Sequence, residues 1–287
     1  MKCGYGVSVI TASAVMALAL ASCQEKPAAD SVASAAPPAP QEITVHAKDF
    51  AFDAADTVEA GLTTIHLVND GPGLHHAQLL RIDSSKTFTD AIAAIPQQTN
   101  FPSWLVAVGG PNAVPAGDTA TVTQELAPGN YMWICFVDVP AGSPHYKKGM
   151  ERGLTVVPAS RPQAAAPVAD INVTLRSYAF DLSAPLTAGK HTFKVMTADT
   201  SSQSHEMVMI QLAPGKTADD VLAWLQKPEG PPPGRPVGGV ADLTRSLPVY
   251  FTTDVVPGDY LLICFDPDFT DGKPHFMHGM MHTVHVS

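Results

Sequence analysis

The sequence predicts an all-β protein of two tandem β-sandwich domains, each with one short helix in a long loop. Three observations carry that reading. Apolar and polar residues alternate over short runs bounded by turn residues, the pattern of half-buried strands. The 287-residue chain holds 21 Gly and 26 Pro but only 15% charged residues, which suits strands and turns better than long surface helices. Landmarks also recur: Phe52 to Phe180 is 128 residues, Cys135 to Cys264 is 129 and Met150 to Met280 is 130. So constant an offset marks an internal duplication, with each copy long enough to bury a core of its own.

Taken in order, residues 1–22 read as a signal peptide. Lys2 precedes an apolar run, Val7 to Leu20, that is short for a membrane span. The run ends in Leu20-Ala21-Ser22-Cys23, which resembles the lipobox of bacterial lipoproteins and makes Cys23 the acylated first residue of the mature chain. This predicts anchoring in a lipid bilayer within a bacterial cell envelope, facing the periplasm. Gln24 after the Cys points to the outer membrane of a Gram-negative host. Residues 23–40, rich in Ala and Pro, form the expected tether.

Domain 1 is expected over 41–157, a linker over 158–168, and domain 2 over 169–287. In domain 1, Ile43 and Val45 alternate with Thr44 and His46, then Asp49-Phe50-Ala51-Phe52-Asp53 follows; domain 2 repeats this with Ile171, Val173, Leu175 and Ser177-Tyr178-Ala179-Phe180-Asp181. Strands are expected over 64–68 and 192–196. Thr87-x-x-Asp90 and Thr217-x-x-Asp220 each precede a short apolar run and predict two capped helices. Irregular Pro/Gly segments follow, and a Val-Gly-Gly element (Val108–Gly110, Val237–Gly239) returns each copy to strand.

The chemistry concentrates at the end of each copy. A Pro-Gly turn leads into an apolar run with Tyr131 or Tyr260 four residues before Cys135 or Cys264. Nine residues then separate Cys135 from His145, ten separate Cys264 from His275, and Met150 or Met280 follows after four more. A thiolate, an imidazole and a thioether on one strand-loop-strand form the donor set of a mononuclear electron-transfer copper site, once a second His is supplied. Tyr131, Trp133 and Cys135 share strand parity, which places the thiol in an apolar surround. Removal of Cys3 with the signal and acylation of Cys23 leave Cys135 and Cys264 as the thiols of the folded part, and an unpaired thiol in an oxidising compartment implies burial or a metal.

The second His comes from an earlier strand end, His75 or His76 in copy 1 and His205 in copy 2. Pairing His75 with His205 aligns Arg81 with Gln211 and keeps Leu80 and Ile82 on Ile210 and Leu212, whereas pairing His76 mixes the faces. His75 is therefore the assigned residue.

Each copy resembles the cupredoxins, the type 1 blue copper domains. Asn69…His75, Gly129-x-Tyr131-x-Trp133-x-Cys135 and His145-x4-Met150 carry the resemblance in copy 1; Gly258-x-Tyr260-x-x-x-Cys264 and His275-x4-Met280 carry it in copy 2. It covers nearly all of both copies and implies Greek-key sandwiches. It also implies copper held by His75, Cys135, His145 and Met150 and by His205, Cys264, His275 and Met280, with one His at the exposed edge of each site. The Cys-to-His loops are longer than in small electron carriers, and Thr197 stands in copy 2 where copy 1 has Asn69.

The expected function is single-electron transfer by a membrane-anchored copper protein with an unidentified redox protein as partner. The alternative is a copper-handling or structural module with one or both sites degenerate. No His precedes either Cys and His-x-His occurs nowhere, so the sequence predicts no enzyme, with copper oxidoreductase chemistry left open. A net charge of −10 argues against nucleic acid. His46, His66 and His191 read as structural or solvated, while His278, His282 and His285 with Met277 and Met281 form a soft-ligand cluster or simply an exposed strand face.

Overall fold

The computed structural model describes residues 38–95, 101–139, 142–199, 203–244 and 247–287, with Gly6 and Ser8. Cys23, the signal segment and most of the tether lie outside the described residues. Among those described, no helix is long and apolar enough to cross a membrane.

Alternation produces the strands. Copy 1 supplies β1 (Gln41–Lys48), β2 (Ala51–Asp53), β3 (Thr57–Glu59), β4 (Gly61–Asn69), β5 (Gln78–Ile82), β6 (Leu105–Ala107), β7 (Thr119–Leu126), β8 (Gly129–Ile134), the short β9 (Asp138–Val139) and β10 (Ser143–Pro144), and β11 (Glu151–Val157). Copy 2 supplies β12 (Ile171–Arg176), β13 (Ala179–Leu182), β14 (Gly189–Thr197), β15 (His205–Leu212), β16 (Gly234–Leu243), β17 (Val249–Val255), β18 (Gly258–Ile263) and β19 (Met281–Val286). The predicted helices are α1 (Phe88–Ala94) and α2 (Ala218–Gln226), each opened by the expected capping box of Thr87 with Asp90 and Thr217 with Asp220.

One sheet spans both copies in the order β13-β12-β14-β17-β7-β4-β1-β2. The order is mirrored about the β17–β7 contact, where Val249, Tyr250 and Phe251 pair antiparallel with Gln124, Thr123 and Val122. Each copy closes its sandwich with a second sheet, β3-β11-β8-β5-β6 in copy 1 and β16-β15-β18-β19 in copy 2. Edge-to-edge pairing gives each edge strand a partner for backbone groups that water would otherwise have to satisfy. The apolar interior consequently runs from one copy into the other, through residues such as Val122, Trp133, Phe193, Phe251 and Leu262.

The period of two decides what each second sheet shows to its two sides. Tyr131, Trp133 and Cys135 face the interior, while Met132 and Ile134 lie in an outer cluster with Ala91 and Ile95 of the α1 segment. Tyr260, Leu262 and Cys264 likewise face in, and Leu261 and Ile263 face out toward Val221 of α2.

The Val-Gly-Gly elements serve close approach. Gly110 (φ 111°) and Gly239 (φ 135°) have left-handed backbones, and a Cβ there would meet Ala77 O at 2.2 Å and Met207 O at 1.8 Å. Both carbonyls lie two residues after the assigned His of their copy. Glycine thus lets each loop press against the strand that positions that His.

Candidate metal centres

In each copy the assigned His, the Cys and the second His converge, with one donor atom of each within 4.8 Å of the others. His75 follows a loop tied down by Asn69, whose Nδ2 donates to Gly73 O (2.8 Å) and Val114 O (2.7 Å) and whose Oδ1 accepts from Gly71 N–H (3.0 Å). In copy 2 the corresponding Thr197 Oγ1 accepts from Asp199 N–H at 3.1 Å. Cys135 and Cys264 directly follow β8 and β18. His145 and His275 open single 3-10 turns (His145–Lys148 and His275–His278), each closed by a left-handed glycine, Gly149 and Gly279. Cys135 N–H donates to Met150 O (3.2 Å) and Cys264 N–H to Met280 O (3.3 Å), which brings each Met beside its Cys. Both Met side chains are fully buried.

The two imidazoles meet through Nδ1. His75 Nδ1 and His145 Nδ1 are 3.1 Å apart, and His145 Nδ1 is 3.5 Å from Cys135 Sγ. In copy 2, His205 Nδ1 and His275 Nδ1 are also 3.1 Å apart, and His275 Nδ1 is 3.4 Å from Cys264 Sγ.

The outer nitrogens assign the tautomers. His75 Nε2–H donates to Asp49 Oδ1 (2.7 Å) and His205 Nε2–H to Asp199 Oδ2 (2.8 Å). A carboxylate only accepts, so each Nδ1 carries a lone pair. Copy 2 goes further: His275 Nε2 faces Gln203 Oε1 at 3.2 Å, and that oxygen also accepts from Phe269 N–H. Two lone pairs and a sulfur then converge on one point, where the single thiol proton can meet only one lone pair and a cation would meet both together with the sulfur.

Burial reinforces the point. It pushes the Cys135 thiol up to about 12 and the Cys264 thiol well above its usual range. It also lowers His75, His145 and His205, and takes His275 down to about 4 with the help of neighbouring His205. Neutral imidazoles and a thiol that ionises only against a positive charge form a metal-accepting set.

His76 stands outside this set. Its Nε2 accepts the backbone N–H of Phe136 at 2.8 Å, and burial takes the ring down to about 3. Glu206 takes the same place after His205, its Oε1 accepting Phe265 N–H at 2.9 Å. That shared role fixes the alignment of His75 with His205.

Sequence reasoning did not find Asp49, Asp199 or Gln203. The carboxylate on the outer nitrogen comes from before β2 in copy 1 and from the loop after β14 in copy 2, where Ser177 occupies the place of Asp49 and bonds Asp199. The one visible signal was the exchange of Asp49-Phe50 for Ser177-Tyr178 at a duplicated position. The remaining histidines have ordinary partners: His46 with Asp70, His66 with Thr121, and His191 with Asp170 and Thr187 O. The C-terminal cluster is not a single group. His278 lies with Asp268 and Asp271 and stacks on Tyr178 at 4.9 Å, His285 pairs with Asp259, and His282 is exposed.

No protein-family model matches the chain, and no curated protein matches it. Similar solved structures include a reduced auracyanin from Roseiflexus castenholzii (23% identity, 42% of this chain and 100% of that one, TM-score 0.29). They also include a blue copper oxidase from Nitrosomonas europaea (14%, 86% of each chain, TM-score 0.27) and a copper-containing nitrite reductase from Thermus scotoductus (13%, 87% and 62%, TM-score 0.23). The last two correct the expectation of no enzyme: structures similar over both copies include enzymes, so the missing His-x-His pairs do not settle that question. At these identities and TM-scores the likeness assigns this chain no role.

Proposed function

We propose that the chain is a copper protein that carries single electrons through one mononuclear copper per copy, held by His75, Cys135, His145 and Met150 and by His205, Cys264, His275 and Met280. The observation that carries this reading is the convergence of two Nδ1 lone pairs and a cysteine sulfur in copy 2, beside a buried Met. Two imidazoles, a thiolate and a thioether form the donor set of an electron-transfer copper. Bound there, copper supplies a one-electron couple. The chain's own residues do the rest. Asp49 and Asp199 orient the imidazoles, the backbone N–H of Glu206 points at the Cys264 sulfur (3.4 Å), and buried apolar side chains keep water from both thiols. We place the protein on a bilayer through acylated Cys23, on the strength of the Leu-Ala-Ser-Cys motif.

Copper loading tests the proposal. Mature protein given Cu(II) should take up two equivalents and show an intense visible thiolate-to-copper band with a mononuclear EPR signal, both lost in Cys135→Ser plus Cys264→Ser. A colourless protein, or one that takes only Cu(I), overturns it.

A further inference from the structure

Copy 2 contains a second cluster of ligating groups that the paired centres do not use. Glu206 at the start of β15, Asp242 near the end of β16 and Asp266 just after β18 bring carboxylate oxygens within 4.8 Å of one another. All three residues are buried, at 5%, 8% and 6% exposure. The cluster does not follow from the duplication, since His76, Ala113 and Val137 stand at the equivalent positions of copy 1.

Three carboxylates gathered out of water repel one another and each loses hydration. Among the described residues no Lys or Arg pairs with any of them; the ion pairs of the molecule lie elsewhere. Hydrogen bonding meets only part of the demand. Glu206 accepts from Asn112 Nδ2 (2.7 Å) and Phe265 N–H (2.9 Å), Ser204 reaches Asp266, and the Asp266 and Asp242 carboxyl groups meet by a hydrogen bond that needs a proton on one of them. Asp266 Oδ2, however, has no hydrogen-bond partner although its residue is more than nine-tenths buried. That buried oxygen is free to accept from an ion or a water.

The surroundings hold this geometry rigidly and leave a way in. Copy 1 pins the backbone of Asp242: Gln78 Oε1 accepts its N–H (2.6 Å), while Gln78 Nε2 (3.2 Å) and Gly109 N–H (2.9 Å) donate to its carbonyl. All three carboxylates line a cavity of about 1460 Å³ whose walls come from both copies, including Asn112, Phe136 and Phe265.

We propose that Glu206, Asp242 and Asp266 bind a hard divalent cation of calcium's size, separate from the two His/Cys/His centres. Oxygen-only donors select hard cations over copper or zinc. Calcium takes roughly six to eight oxygens in a flexible shell and is held by protein carboxylates, whereas magnesium keeps most of its water, so three protein carboxylates suit calcium. With one ligand set anchored by Asn112, Gln78 and Gly109, the ion would tie copy 2 to copy 1.

The test uses the full chain without copper, titrated with CaCl₂ by calorimetry and with MnCl₂ by EPR, alongside melting curves in calcium or chelator. One equivalent should bind, and calcium at about 100 times Kd should raise Tm by about 5–10 °C. Asp242→Asn, which keeps the side-chain shape, should lose at least tenfold in affinity and most of the Tm shift. Asp271→Asn, in the exposed Asp268/Asp271/His278 group, should keep both. Wild-type protein that shows neither heat nor bound Mn²⁺, with Tm indifferent to calcium, overturns the site in favour of carboxylates held protonated. Undiminished binding in Asp242→Asn overturns it as well. Copper loading is read separately by its visible band, so failure here leaves the paired centres untouched.

Discussion

The two His/Cys/His groups share their inner residues and differ in almost everything that touches them. In copy 1 the outer nitrogen of His75 meets Asp49, which is 32% exposed; in copy 2 His205 meets Asp199 at 5%, delivered from another part of the chain. Phe50 sets its ring edge-on to His145 at 4.9 Å with Lys148 above it, whereas Tyr178 meets His275 at 5.3 Å, bonds Asp268 and stacks on His278. His145 retains 4% exposure, and His275 is fully covered with Gln203 on its outer nitrogen. The difference teaches that duplication preserved the donors while their supports were rebuilt. Copy 1 keeps a more open His edge under a cationic rim; copy 2 is more enclosed and electrically more negative.

The sharpest way to break the comparison is to remove one thiol at a time. Cys135→Ser and Cys264→Ser should each cut copper uptake from two equivalents to one, read by metal analysis. The two remaining visible bands should differ in position, because the supports differ; identical spectra would mean those supports are without effect.

Next in size are the orienting carboxylates. Losing an outer hydrogen bond to a ligating His costs about 10–100-fold in metal affinity. Asp199→Asn should fall toward the upper end and Asp49→Asn toward the lower, since Asp199 is the more buried. Competition with a chelator of known affinity ranks them, and equal losses would contradict the role given to burial.

His76 and Glu206 test the shared acceptor. His76→Leu strands the N–H of Phe136 and should cost about 1–3 kcal/mol in denaturant unfolding, while His76→Gln should recover part of it. The smallest effect is one on which the copies agree. Thr87 and Thr217 hold Asp90 and Asp220 below the usual carboxylate range through backbone N–H bonds. A depressed pKa gives stability that is present above the unfolded value and lost as pH falls through the folded one. Helix signal near α1 and α2 should therefore weaken only below about pH 4 in both copies, as followed by amide NMR.

Much of this was legible in the chain. The constant offset announced two copies, the alternation announced strands, and Thr-x-x-Asp announced both helices, because each pattern is a local consequence of backbone geometry. The Cys, His and Met of each loop were legible for the same reason. Choosing His75 over His76 needed face parity across Arg81 and Gln211, and the bond from Phe136 N–H to His76 gives the physical basis of that choice. Pairing across β17 and β7 had no such signature. Val249–Phe251 and Val122–Gln124 read as ordinary strands, and nothing in a strand's own sequence names its neighbour.

By itself, then, the sequence announced the duplication, the all-β class and the His, Cys and Met residues that come together in each copy, since spacing along one strand or one turn is enough to make those neighbours. Tertiary structure alone decided what surrounds them: Asp49 against Asp199, Gln203 on His275, and the buried trio of Glu206, Asp242 and Asp266. Those groups meet across sheets and between copies. Their positions are set by how the strands pack, and no period in the sequence records that.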